Sequence, residues 1–264
     1  MKFAMPMRLF CAVLFFALSF NVNAEDSKPS PEYYQIKVYH FKSSEQETLL
    51  DNYFKMAYLP ALHKAGIKNV GVFKPLANDT ASDKKIYIYI SAKSLDKLMG
   101  LTPVIQKDAA YMTAAKEYMD AEYNKQPFVR FETIVLKAFP LALTMQLPAL
   151  KGDRKDRVYE LRSYESATEK LYNSKVKQFN EGGEIKLFKE LDFNGVFYAE
   201  VLSGSRMPNL MYMTTFENMA ERDAHWKNFF AHPDWKTLSA KPEYQHNVSK
   251  SEINFLRPTE YSDF

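Results

Sequence analysis

Two six-residue runs alternate apolar and polar side chains, Tyr34-Gln35-Ile36-Lys37-Val38-Tyr39 and Tyr159-Glu160-Leu161-Arg162-Ser163-Tyr164, and they stand 125 positions apart. An alternation of period two marks a β-strand. Three more segments repeat at 124 positions: Gly71-Val72-Phe73 with Gly195-Val196-Phe197, Ile86-Tyr87-Ile88-Tyr89 with Leu210-Met211-Tyr212-Met213, and Phe131 with Phe255. A nearly constant offset across about 100 residues marks one unit written twice.

Between the first and second strands of each unit the pattern becomes helical, over 44–65 and 167–191. Each stretch carries a breaker in its second half, Pro60 in one and Gly182-Gly183 in the other. Proline removes a helical hydrogen bond and glycine lowers helix propensity, so both units are expected to bend there. A second helical region lies between the third and fourth strands. In the later copy Asn218 with Glu221 reads as a capping box, and Met219, Trp226 and Phe230 are expected on one helical face. Pro233 suits the first turn of another short helix, with His232 before it. Each unit thus reads β-α-β-β-α-β, the ferredoxin-like order. The predicted fold class is α+β, with two fused ferredoxin-like units packed sheet to sheet. The divisions fall at residues 1–24 for a leader, 25–32 for a linker, 33–140 for the first unit, 141–156 for a charged, turn-rich linker and 157–264 for the second unit.

The leader gives an address. Lys2 and Arg8 precede the apolar run Leu9–Phe20, and Val22-Asn23-Ala24 offers small residues for cleavage after Ala24. The run has about a dozen residues against the roughly 20 that span a bilayer, so a cleaved signal and a secreted or periplasmic protein are expected, with no membrane attachment afterwards. Cleavage removes two basic residues and the single cysteine, Cys11, from a chain of 264 residues and net charge +3. A near-neutral chain has no electrostatic footprint for nucleic acid, and a chain without thiols suits an oxidising compartment.

The strand faces carry the candidate chemistry. Tyr34, Ile36 and Val38, with Tyr159, Leu161 and Ser163, are expected beneath the helices. The opposite faces hold Gln35, Lys37, Tyr39, Glu160, Arg162 and Tyr164, and these are expected to line an interior shared by the two sheets. A polar group there must find a neighbour or a ligand, so structural ion pairing and ligand contact are both open. His225 and Trp226 share a helix and join the candidate ligand-binding set, with simple packing as the other reading. His63 and His232 carry weaker signals. The chain has no HExxH, no GxGxxG, no P-loop and no GxSxG, so no metal and no cofactor is expected.

The second copy, with Val158-Tyr159-Glu160-Leu161-Arg162-Ser163-Tyr164, the stretch Glu221–Phe229 (ERDAHWKNF) and His232-Pro233-Asp234-Trp235, resembles a NIPSNAP domain over most of residues 157–258. The first copy lacks the His-Trp and Pro-Asp-Trp motifs. The resemblance implies a dimeric α+β barrel, here within one chain, and implies no activity. Three readings stay open: binding of a small, partly apolar molecule in the barrel interior; a cofactor-independent oxygenase or isomerase using Glu160 or His225 with Arg162 or Tyr164; and a protein interaction module. With both halves on one chain, a monomer or weak oligomer is expected.

Overall fold

The computed structural model describes Met1 and residues 30–264. The signal expected up to Ala24 lies outside the described residues. In the first half the elements are β1 (Tyr33–Phe41), α1 (Ser44–Tyr53), a π-helical turn (Phe54–Tyr58), α2 (Leu59–Lys64), β2 (Val70–Pro75) and β3 (Lys84–Ala92). Four short helices follow, α3 (Leu95–Met99), α4 (Leu101–Ile105), α5 (Ala109–Ala114) and α6 (Lys116–Met119), and β4 (Arg130–Ala138) closes the half. The second half runs β5 (Val158–Glu165), α7 (Glu169–Phe179), α8 (Glu184–Glu190), β6 (Phe197–Ser203), β7 (Asn209–Phe216), α9 (Met219–Ala231), α10 (Pro233–Ser239) and β8 (Lys250–Pro258).

Both breakers act as expected, by different means. Pro60 has no N–H to donate, and the turn before it widens so that the Leu59 amide reaches the Phe54 carbonyl. In the second half Gly183 takes φ +92° between α7 and α8, a left-handed conformation that glycine adopts without strain. Asn218 caps α9 by accepting from the Glu221 amide at 3.0 Å. The residues of α9 that are buried are Trp226 and Phe229, whereas Phe230 is 53% exposed. Residues three apart share one face here because Phe229 stacks on Phe188 at 4.8 Å.

All strand pairs are antiparallel, and the eight strands close into one barrel in the order β1-β3-β2-β8-β5-β7-β6-β4. Each half supplies a four-stranded sheet, and the two sheets face each other across the interior. Two seams join them. At β2–β8 only Phe73, Lys74 and Pro75 pair, with Pro258, Arg257 and Leu256. At β4–β6 the register slips between Val135 and Leu136, a bulge that lets the barrel turn its corner.

The barrel interior reverses one sequence expectation. Tyr34, Ile36, Val38, Tyr159 and Leu161 point inward, into a cluster with Phe73, Tyr89, Phe197, Met211 and Leu256 from both halves. Gln35, Lys37, Tyr39, Glu160, Arg162 and Tyr164 are therefore on the opposite face, beneath the helices. The reason is that both faces of these strands are covered: β7 is buried at all eight positions. The middle of the space between the two sheets is filled by aromatic and aliphatic side chains, whereas the helix layer can bring counter-charges to a polar row, and that layer receives it.

The paired glycines have a common cause. A Cβ on Gly71 would fall 2.3 Å from the Phe73 ring, and one on Gly195 would fall 2.3 Å from the Tyr198 hydroxyl. Gly71 lets the Phe73 ring lie along its own strand and reach Tyr159 of the other half, 5.0 Å between centroids. Gly71→Ala is expected to cost about 1–3 kcal/mol by overpacking, read as a lower midpoint in urea unfolding with unchanged slope.

Candidate functional site

Three polar groupings stand out, and each is positioned by a different part of the barrel. The first lies between β5 and α9. Glu160 has no solvent exposure and Arg162 is 7% exposed. The Arg162 Nε donates to Glu160 Oε1 at 2.7 Å, and the Arg162 Nη1 donates to the Tyr164 hydroxyl at 2.9 Å. From α9 come Arg222, whose Nε and Nη2 each donate to Glu160 at 2.9 Å, and the Trp226 indole, which donates to Glu160 Oε2 at 2.8 Å. The Arg162 guanidinium carbon lies over the Trp226 ring, 3.7 Å from its centroid. Tyr164 and Tyr212 complete the chain, their hydroxyls 2.8 Å apart.

This network is saturated. Burial alone pushes the Glu160 carboxyl up, and the Arg222 hydrogen bond, the Arg162 charge and the Trp226 indole overcome it, leaving the group below its ordinary value. A carboxylate held ionised by two guanidiniums and an indole is a poor proton acceptor, and its lone pairs are spent. His225 stands apart: its Nδ1 donates to the Leu191 carbonyl at 2.8 Å, and its ring packs on Phe193 and Phe216. The grouping of Glu160, Arg162, Tyr164 and Trp226 is thus real, His225 is outside it, and its chemistry is structural pairing. A second closed pair, Lys175 with Glu184 at 2.9 Å, lies beneath α7 and α8.

The second grouping is one mouth of the barrel, which pattern reading missed. Its rim is His40, Arg130, Glu132, Arg206, Glu252 and Asn254, and its floor is Val38, Ile134, Leu161, Val201 and Met211. His40 is 4% exposed; its Nδ1 donates to Asp83 at 2.7 Å, and its Nε2 lies 3.2 Å from both Arg130 Nη2 and Glu132 Oε1. The neutral ring accepts from Arg130, whereas the protonated ring donates to both carboxylates. Tyr87 donates to Asn254 at 3.2 Å, and Asn254 donates to Glu252 at 3.1 Å, which also pairs with Arg206. The free space is about 60 Å³.

Below that space the interior is filled. Tyr34 packs on Tyr89 and Phe197 at 5.5 and 5.4 Å, and Tyr89 stacks on Phe197 at 5.1 Å. Phe264 closes the far end against Phe73 and Tyr89. The signal for the mouth was present in the chain: His40 continues the parity of Tyr34, Ile36 and Val38, and Ser163 that of Tyr159 and Leu161. Only the assignment of the inward face hid it.

The third grouping is the row Gln35, Lys37 and Tyr39 beneath the helices of the first half. Gln35 is 7% and Tyr39 3% exposed, and Lys37 is half-buried. His232 caps α10, its Nδ1 accepting from the Asp234 amide at 3.2 Å, and His63 pairs with Asp263 at 2.8 Å. Among the described residues no group of three or more His, Cys, Asp and Glu could hold a metal ion, and no helix is long and apolar enough to cross a membrane.

The strand–helix assembly from β5 to β8 coincides with a known family: residues 159–263 match the family model NIPSNAP. The C-terminal half is similar to NIPSNAP domains. Its Glu160–Trp226 network joins the first strand of that half to its long helix, α9. A NIPSNAP-like domain protein from Burkholderia xenovorans is similar over 40% of this chain and 89% of its own, at 16% identity and TM-score 0.37. Two solved structures match the paired halves together. A candidate monooxygenase from Lactobacillus acidophilus is 11% identical over 87% of this chain and 94% of its own, with TM-score 0.53. Another from Fusobacterium nucleatum is 9% identical over 87% and 93%, with TM-score 0.51. At these identities the likeness is one of fold, the α+β barrel in which the NIPSNAP-like half is here fused to a second unit. Among curated proteins none matches the sequence.

Proposed function

We propose that this is a secreted or periplasmic binding barrel of NIPSNAP type, which seats the apolar end of a small molecule in the mouth and holds its polar end at the rim. The observation that carries the reading is the mouth itself: an apolar floor beneath charged and amide side chains, in an interior otherwise filled by aromatic rings. A void of about 60 Å³ has the volume of roughly two water molecules in the liquid. The ligand is therefore short at its apolar end. An enzymatic reading that joins Glu160 or His225 to Arg162 or Tyr164 is less favoured, because Glu160 is saturated and His225 lies outside its network. All eight strands pair on both sides within the chain, so no second copy is needed to cover a sheet edge.

Thermal denaturation of the secreted chain with a set of short alcohols, amides and carboxylic acids tests the reading. At 100 times its Kd a bound fragment stabilises the native state by about 2.7 kcal/mol, a rise in Tm of roughly 5–10 °C. Val201→Phe, which fills the floor, is expected to abolish that rise. If no fragment moves Tm, or if the rise survives in Val201→Phe, the mouth is not the site.

A further inference from the structure

The two halves carry corresponding rows of three polar side chains, but only one row is closed. In the second half Glu160, Arg162 and Tyr164 are all hydrogen-bonded to one another or to α9. In the first half, 125 positions earlier, the row reads Gln35, Lys37 and Tyr39. Gln35 is neutral where Glu160 is charged, so the strand's cation has lost its intramolecular anion. Among the described residues no carboxylate lies within ion-pairing distance of the Lys37 ammonium. Its surroundings are aromatic instead. The Lys37 Nζ lies 5.5 Å from the centroid of Tyr58 and 5.8 Å from that of Phe131.

Those two rings are placed by particular local structure. Tyr58 ends the π-helical turn, so the widened turn sets where its ring meets the strand. Phe131 comes from β4, stacks on Tyr39 at 5.2 Å, and is 46% exposed, which leaves the site open on that side. Where α9 brings Arg222 and Trp226 onto the second row, the short helices of the first half bring tyrosines, Tyr111 and Tyr118. A half-buried cation without a counter-charge is costly, and burial holds the Lys37 ammonium below its ordinary pKa.

We propose that Lys37 anchors a second ligand site, in the first half, for a small monocarboxylate with a flat apolar body. The second half displays the matching chemistry: a carboxylate held by the strand's cation, with an aromatic ring closing on it. In the first half the ligand's carboxylate supplies the anion that Glu160 supplies in the second, accepting from the Lys37 ammonium and the Gln35 amide, and its body packs on Tyr58 and Phe131. One ammonium and one neutral amide match a single negative charge.

The test uses the secreted chain with benzoate, 3-phenylpropionate and indole-3-acetate, each beside its primary amide, followed by calorimetry and by ¹⁵N signals of the lysine Nζ groups. At least one carboxylate is expected to bind with Kd below about 1 mM and to move the Lys37 signal, with its amide weaker by about tenfold or more. Lys37→Met is expected to lose that binding by the same factor. Gln35→Glu supplies the missing anion from within, keeps the side-chain volume, and is expected to lose binding while raising Tm; it carries the test if Lys37→Met does not fold. Val201→Phe, in the mouth, is expected to leave this binding unchanged, which separates failure here from failure of the mouth reading. The proposal is overturned if none of the carboxylates binds, if the amides bind equally, or if Gln35→Glu keeps the wild-type affinity.

Discussion

Glu160→Gln is expected to be among the most destabilising single substitutions in the protein, at about 3–5 kcal/mol, because it leaves two buried guanidiniums without their shared anion. Arg162 and Arg222 both spend donors on this one carboxylate, and the Trp226 indole does too. Thermal denaturation of the purified variant should show the loss directly, with a fall in Tm of roughly 10 °C. The pH dependence gives a second readout. Folded Glu160 sits below its ordinary pKa of 4.5, so the unfolded chain takes up the proton first as pH falls. The stabilisation is fully present above about pH 4.5 and is lost as the solution is acidified through the lower folded value. Stability of the wild type should therefore drop on that acid limb, and Glu160→Gln should flatten it. An unchanged acid limb would assign the acid sensitivity to other carboxylates.

Phe197→Ala is expected to cost about 3–5 kcal/mol and to loosen both halves at once. Phe197 belongs to β6 of the second half, yet its ring packs tilted on Tyr34 and stacks on Tyr89, from β1 and β3 of the other half. The hydroxyls of Tyr34 and Tyr89 are buried without a hydrogen-bond partner among the described residues, and burial raises both phenols far above their usual range. Their rings are held by packing alone, so removing the third ring leaves a cavity with little able to collapse into it. Unfolding followed by helix signal and by tyrosine fluorescence should stay coincident in the variant, at lower denaturant. Two separated transitions would show that the halves do not share one core.

The repeat, the strand order and the helix breaks were legible because they rest on local rules: alternation, proline chemistry and capping side chains. Asn218, Pro60 and Gly183 act in the structure as their residue types demand. The direction in which β1 and β5 face was not legible. Alternation separates two faces but cannot say which covering layer each one meets when both are covered. Glu160 and Arg162 were singled out correctly as polar groups that had to find partners, yet the partner that decides the matter, Arg222, lies 62 positions away on α9. The mouth was hidden for the same reason, since Asp83, Arg206 and Glu252 converge only when the barrel closes.

Joining both sheets in one polypeptide has a genetic consequence. In a barrel made from two identical chains every substitution is installed twice, so a residue needed to hold one side together cannot be exchanged for one that would serve a ligand on the other. Here each position is encoded once. Glu160 can keep the second half rigid while Gln35, its counterpart, leaves the first half's lysine uncommitted, and the two sides are free to diverge in duty without either compromising the closure of the whole.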